Sequence, residues 1–170
     1  MSRRLETASN IWLTGASSGI GEALAKQLAT HGHRLIVTGR RKEPLDALVN
    51  QHPSQLLAAP ADTTSKSDLE ALKDSLGHFG DLDMAILNAG TCEYMDDIKQ
   101  FDTALFRRVI NSNVLGTADC VAAFLPKVPR GGQIALMGSS AHFFPFSRAQ
   151  AYGASKAAVA YLAQTLAVDL

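Results

Sequence analysis

What the 170-residue chain lacks narrows it first. It has no excess of either charge, with 16 Lys+Arg against 16 Asp+Glu, so it carries none of the basic footprint of a nucleic-acid or acidic-membrane binder. It has no apolar run near the roughly 18 residues that a membrane span requires. Its opening, MSRRLETASN, puts no apolar core behind the arginines and does not read as a secretory leader. Cysteine is scarce: Cys92 and Cys120 belong to no CxxC and to no Cys/His cluster. One disulfide between them is conceivable, but two free thiols in a reducing, cytoplasmic setting is the expectation. Repeats and low-complexity stretches are absent as well. What remains, with 46% hydrophobic and 19% charged residues, is the composition of one ordinary globular domain, residues 1–170.

Along the chain, short apolar runs alternate with stretches of helical period. Strands are expected at 10–14, 34–38, 55–59, 84–87 and 133–137. Helices are expected at 19–31, 43–51, 65–79, roughly 103–125, and from about 150 to the end. Pro44 suits a first helical turn, and the Ser/Asp-rich segment from Ser65 suits a helix start. Five strands alternating with helices predict an α/β fold with a parallel sheet covered on both faces, the strands reading as unbroken apolar runs because both faces are buried. The last helix is still in progress at Leu170, with neither glycine nor proline to stop it. Strand five has nothing after it to pair with, so the chain reads as truncated, or as covered by another subunit.

Thr14-Gly-Ala-Ser-Ser-Gly-Ile-Gly21 falls between the first strand and the first helix. Backbone there must come close to a ligand, and the N–H groups of a helix N-terminus attract an anion such as a pyrophosphate. Its GxxxGxG spacing only approximates the general dinucleotide fingerprint, and the GK[ST] of an ATP-cradling loop is missing. The bland alternative is a tight turn that needs small residues. Where an acid that would bind a ribose 2′-hydroxyl is expected, at the end of strand two, the chain has Thr38-Gly39-Arg40-Arg41. Guanidinium groups suit a 2′-phosphate, which points to NADP rather than NAD.

Tyr152-Gly-Ala-Ser-Lys156 puts a phenol and an ammonium on one face of the final helix. A free phenol holds its proton too tightly for acid–base work at neutral pH, and a cation nearby eases its release.

Taken together these residues are similar to the short-chain dehydrogenase/reductase family in its common form, and the similarity covers the whole chain. The matching positions are Thr14-Gly-x-x-x-Gly-x-Gly21, Asp62 after strand three, Asn88-Ala-Gly90 after strand four, Asn113 in Asn-Val-Leu-Gly116, Ser139, and Tyr-x-x-x-Lys. Ser139 is taken over Ser140 because the family's serine lies thirteen residues before the tyrosine. The resemblance implies a Rossmann-like, doubly wound, three-layer α/β/α fold with strand order 3-2-1-4-5. The family's usual sixth and seventh strands and its substrate loop have no counterpart here.

It also implies roles. Tyr152 would be the general acid or base, Lys156 would hold the nicotinamide ribose, and Ser139 would polarise a substrate carbonyl. Asn113 would kink the long helix and hold a water beside Lys156. Gly15, Ser17, Ser18, Gly19, Ile20 and Gly21 would take the pyrophosphate end of NADP(H), Arg40 the 2′-phosphate, and Asp62 the adenine. Asn88, Ala89 and Gly90 would lie along the adenosine ribose. The implied activity is hydride transfer between NADP(H) and a small carbonyl or alcohol substrate. A non-catalytic dinucleotide-binding module or sensor is the alternative, with an S-adenosylmethionine or nucleotide-sugar domain behind it. By resemblance, a homo-oligomer forms through the two longest C-terminal helices.

Four further features invite plainer readings. His31 and His33 sit at a helix end, where a cationic or capping role outweighs a metal. His142 with Phe143, Phe144 and Phe146 either borders a substrate entrance or is loop packing. Arg107-Arg108 reads as a solvated helix face. Cys92 lies near the cofactor loop without a base beside it, so thiol catalysis has little support.

Overall fold

Ile11 and Leu13 point to one side of a strand and Trp12 to the other, and all three are 0% exposed. That is the mark of a strand buried on both faces. In the computed structural model, which describes residues 8–77 and 79–170, it is β1 (Asn10–Thr14). The first helix α1 (Gly19–Thr30) leads to β2 (Arg34–Thr38), then α2 (Lys42–Gln51) and β3 (Leu56–Ala58). After these come α3 (Lys66–Gly77), β4 (Met84–Leu87), α4 (Thr103–Ile110), α5 (Gly116–Phe124), β5 (Gln133–Leu136) and α6 (Gln150–Asp169). All strand pairs are parallel, in the order β3-β2-β1-β4-β5. The expected sheet and strand order are therefore observed.

The pleat divides the core in two. Ile11, Leu13, Leu35 and Val37 pack with Ala25 and Ala29 of α1 and Leu45 and Leu48 of α2. Trp12, Ile36 and Leu87 pack on the other side with Leu69, Leu72 and Leu76 of α3 and Val121 and Phe124 of α5, and Leu166 of α6 adds to that cluster. Trp12 also meets its polar need inside, its Nε1–H donating to Thr38 Oγ1 at 3.0 Å.

Three expectations change. The helix expected over 103–125 is broken: a π-helical turn, Asn111–Leu115, separates α4 from α5. Such a turn holds one residue too many for the α ladder, and apolar period alone does not reveal it. The edge strand β5 is half-buried to exposed along its length, and β3 has only three residues. Burial on both faces thus holds for β1, β2 and most of β4 but not for the edges. His33 is buried and its Nδ1 accepts from the Ser9 N–H at 3.3 Å, so it is tied into the core rather than standing exposed at the helix end. His31, by contrast, caps α1, its Nδ1 lying 2.7 Å from the Gln27 carbonyl oxygen. The reading of the opening segment falls mostly outside the described residues, as does His78 near the end of the expected third helix. No helix among the described residues is long and apolar enough to cross a membrane.

Candidate active site

The sheet reverses its winding between β1 and β4, and a cleft opens there at the carboxyl ends of the strands. This is where open α/β sheets take ligands. The cleft measures about 670 Å³.

Its floor is the β1–α1 loop. Gly15 sits at φ +70°, and a Cβ there would lie 2.8 Å from Ala89 Cα and from Asn88 Nδ2. A Cβ on Gly21 would lie 2.1 Å from the Gly15 carbonyl oxygen. Packing demands both glycines, and at Gly15 the backbone angle demands it as well. Asn88 bolts the loop in place, its Nδ2 donating to the carbonyl oxygens of Thr14 and Gly15 at 3.1 and 3.3 Å, while the Ala89 N–H donates to Thr14 Oγ1 at 3.0 Å. Gly19, also left-handed at φ +59°, starts α1. Ser18 precedes it without a side-chain capping bond, which leaves the helix N-terminus available to an anion at the cleft.

At the β2 end Arg40 is exposed and borders the cleft. Arg41 donates from Nη2 to the Ser17 carbonyl oxygen at 3.2 Å. After β3, Asp62 Oδ1 accepts from the N–H and the hydroxyl of Thr64 at 2.9 and 2.8 Å. The Asp62 N–H donates to Asp68, which with Ser65 caps α3. The Asp62 backbone N–H, and then Ser65, hold the Asp68 carboxyl below its ordinary range.

The opposite wall carries the tyrosine and the lysine. Lys156 is 5% exposed and its Nζ donates to the Met137 carbonyl oxygen at 2.7 Å, just past β5. Burial pulls its ammonium below the ordinary lysine value, and Cys92 works against that shift. The same Nζ lies 5.8 Å from the ring centroid of the half-buried Tyr152. Both side chains line the cleft that the glycine loop floors.

Asn113, in the π-helical turn, is fully engaged. Its Oδ1 accepts from the Thr91 N–H at 2.7 Å, and its Nδ2 donates to the Thr91 carbonyl at 2.8 Å and to Ser155 Oγ at 2.9 Å. Ser155 Oγ donates in turn to the Tyr152 carbonyl. The chain Thr91–Asn113–Ser155 thus ties the exit of β4 to α6.

Of the residues singled out in the sequence, Gly15, Ser17, Ser18, Ile20, Gly21, Arg40, Asp62, Asn88, Ala89, Gly90, Tyr152 and Lys156 line one cleft. Gly19, Asn113 and Ser139 do not. Ser139 lies three residues past β5, where its Oγ accepts from the Ala141 N–H at 3.1 Å and its carbonyl faces Nδ1 of His142. Phe143, Phe144 and Phe146 are exposed and border no part of the cleft.

Arg107 and Arg108 are both exposed, in keeping with a solvated helix face, but Arg108 does more. It borders the cleft and holds Glu93 at 2.9 Å, and that bond raises its affinity for its proton. Thr91, Cys92, Asn111 and Ser112 line the cleft too. The polar run Asn111-Ser112-Asn113 inside an otherwise amphipathic helix was the available signal for the last two.

A doubly wound sheet with a glycine-floored cleft at its switch point, and a Tyr–Lys pair on the facing wall, defines the dinucleotide-dependent oxidoreductase class of fold. Residues 9–170 match the pattern of the short chain dehydrogenase family, and the chain belongs to it. It is 33% identical over 161 residues to an uncharacterised oxidoreductase of Staphylococcus epidermidis, covering 93% of this chain and 70% of that one. It is 32% identical over 163 residues to the NADP-dependent 3-hydroxy acid dehydrogenase YdfG of Salmonella typhi, covering 94% and 66%. The closed form of serine dehydrogenase complexed with NADP+ superposes with a TM-score of 0.89 at 29% identity, over 95% of this chain and 66% of that one. The chain thus spans about two thirds of the length of these relatives.

Proposed function

We propose that the chain binds NADP(H) and serves the interconversion of a carbonyl and a secondary alcohol, with Tyr152 as its acid–base group. The observation that carries this is one cleft shared by the glycine loop, Arg40, Tyr152 and Lys156. The cradle suits the cofactor: Gly15 and Gly21 leave room that any side chain would fill, the α1 N-terminus offers N–H groups to a pyrophosphate, and Arg40 offers charge to a 2′-phosphate. NADP-linked relatives support the same choice. When bound, the cofactor supplies the hydride.

The chain supplies the rest. Tyr152 gives its phenolic proton to the substrate oxygen in the reducing direction and takes it back in the other. Ser139, whose Oγ accepts from the Ala141 N–H and keeps its own proton to give, donates a hydrogen bond to that oxygen. Lys156 holds the ribose hydroxyls and keeps positive charge on the tyrosine's side of the cleft. Asn113 positions these groups by bracing Thr91 and Ser155. The relatives' names make short hydroxy acids the first substrates to try.

Tyr152→Phe tests the reading. Carbonyl-dependent oxidation of NADPH falls by at least about 100-fold, the ordinary share of a positioned acid, while NADPH binding by fluorescence titration stays within about twofold. Unchanged turnover removes Tyr152 from the chemistry. Binding of NADPH by the unaltered chain without any carbonyl-dependent turnover favours the non-catalytic module instead.

A further inference from the structure

Arg148 is the only described residue other than glycine with a left-handed backbone, at φ +67°. A side chain pays for that conformation in strain, and such sites persist where their surroundings over-determine them. Here the surroundings are specific. The Arg148 carbonyl accepts from the Met95 N–H at 2.9 Å, its Nε–H donates to the Met95 carbonyl at 2.9 Å, and its Nη2 donates to the Asp96 carboxylate. Met95 is 2% exposed and is plugged between Leu105 and Val109 of α4 and Ala151 of α6. Ala151 adjoins Tyr152.

The strap therefore joins two segments that border the catalytic wall. One is the 91–97 stretch after β4, in which Cys92 lines the cleft and the exposed Tyr94 lies within electrostatic range of Cys92 and Tyr152. The other is the entry to α6. Neither belongs to the glycine loop that floors the cleft.

We propose that Arg148 is a positioning residue: its guanidinium and strained backbone fix the Cys92–Tyr94 segment against the start of the Tyr152 helix and so set the substrate-side wall of the cleft. This rests on the reading of Tyr152 as the acid–base group. Opening the strap frees one side of the cleft without disturbing the glycine loop, which is held by separate bonds through Asn88 and Thr14.

Cys92 reports on the strap directly. It is exposed, whereas Cys120 is buried and its thiol is pushed up to about 12 by burial, so neutral iodoacetamide alkylates Cys92 alone at neutral pH. The measurements are the alkylation rate, the thermal midpoint and protection by NADPH, in the unaltered chain, Arg148→Ala and Arg148→Gly. Both variants lose the guanidinium bonds, and only glycine also relieves the left-handed backbone. Both are expected to raise the alkylation rate about tenfold, the order of the lost charge-assisted bonds, and Arg148→Gly does so without a lower thermal midpoint.

Acceleration shared by both variants reads the segment's freedom, since they differ in backbone strain and share the loss of the guanidinium bonds. A rate within about twofold of the unaltered chain in both variants overturns the proposal. Acceleration in Arg148→Ala alone overturns it too, because strain and not the strap would then govern the segment. Where turnover is measurable, kcat falls while KM for NADPH holds. NADPH that fails to protect Cys92 in the unaltered chain counts against the cofactor reading, not against the strap.

Discussion

Around β1 and β2 the cleft rests on closely packed backbone; around β5 and the entry to α6 it rests on side chains that hold loops together. Ile11, Trp12, Leu13, Leu35, Ile36 and Val37 are all 0% exposed, and the glycine loop they present leaves no room for a methyl group at Gly15 or Gly21. β5 is half-buried to exposed, and the 137–149 segment beyond it depends on the Ser139 cap, the His142 contact and the Arg148 strap. The only described buried side-chain atom without a partner, Gln150 Oε1, lies on this second side. Rigid backbone suits a ligand of unvarying structure, such as a dinucleotide cofactor. Side-chain straps can be exchanged one residue at a time, which suits a wall that selects among substrates.

The contrast breaks most visibly at glycine. Gly21→Ala drives a Cβ against the Gly15 carbonyl oxygen, with no flexible group to yield, and is expected to cost about 3 kcal/mol or more. Gly138→Ala, just past β5, meets nothing within 4 Å and is expected to change stability by less than about 0.5 kcal/mol. Urea unfolding midpoints check both. Equal losses would mean that the two sides are equally tightly built.

The same division explains what could be read in advance. The first half of the site is encoded locally: Gly15, Gly19 and Gly21 are spaced by the turn they make, and Arg40 comes directly after β2. Alternation of apolar runs with helical stretches pointed to the parallel sheet, while the order of its strands came only with the family resemblance. Arg108 could not be read this way, because its partner Glu93 lies fifteen residues back and meets it only once α4 is docked. The π-helical turn at Asn113 leaves the apolar stripe nearly intact on either side, so the period suggested one unbroken helix. Arg148 carries no local sign of a left-handed backbone, since the residues that impose it, Met95 and Asp96, are more than fifty positions away.

Next in size comes the cofactor end. Arg40→Ala is expected to weaken NADPH about 10- to 100-fold, the worth of charge-assisted hydrogen bonds to phosphate, and to leave NADH nearly unmoved. Titration of both cofactors against both proteins checks it. Parallel losses would assign Arg40 to the shape of the loop rather than to the phosphate. Arg41, already donating to Ser17, has less charge to offer and should matter less.

The smallest effect sharpens the comparison where the two sides meet, at Lys156. Burial lowers its ammonium's pKa below the ordinary 10.5, so on alkalinisation the folded chain gives up this proton before the unfolded chain does. In the pH range just below 10.5 the unfolded state binds more protons, and stability contributed by this group rises with pH. Below that range both states hold the proton and the cost of burying the charge is constant. Lys156→Met removes the titration, so the stability of the unaltered chain relative to this variant should climb as pH approaches 10.5 and stay level near neutrality. Thermal midpoints of both proteins across that range give the difference. A level difference throughout would mean that water reaches the ammonium through the substrate side, and that this wall is looser than its straps imply.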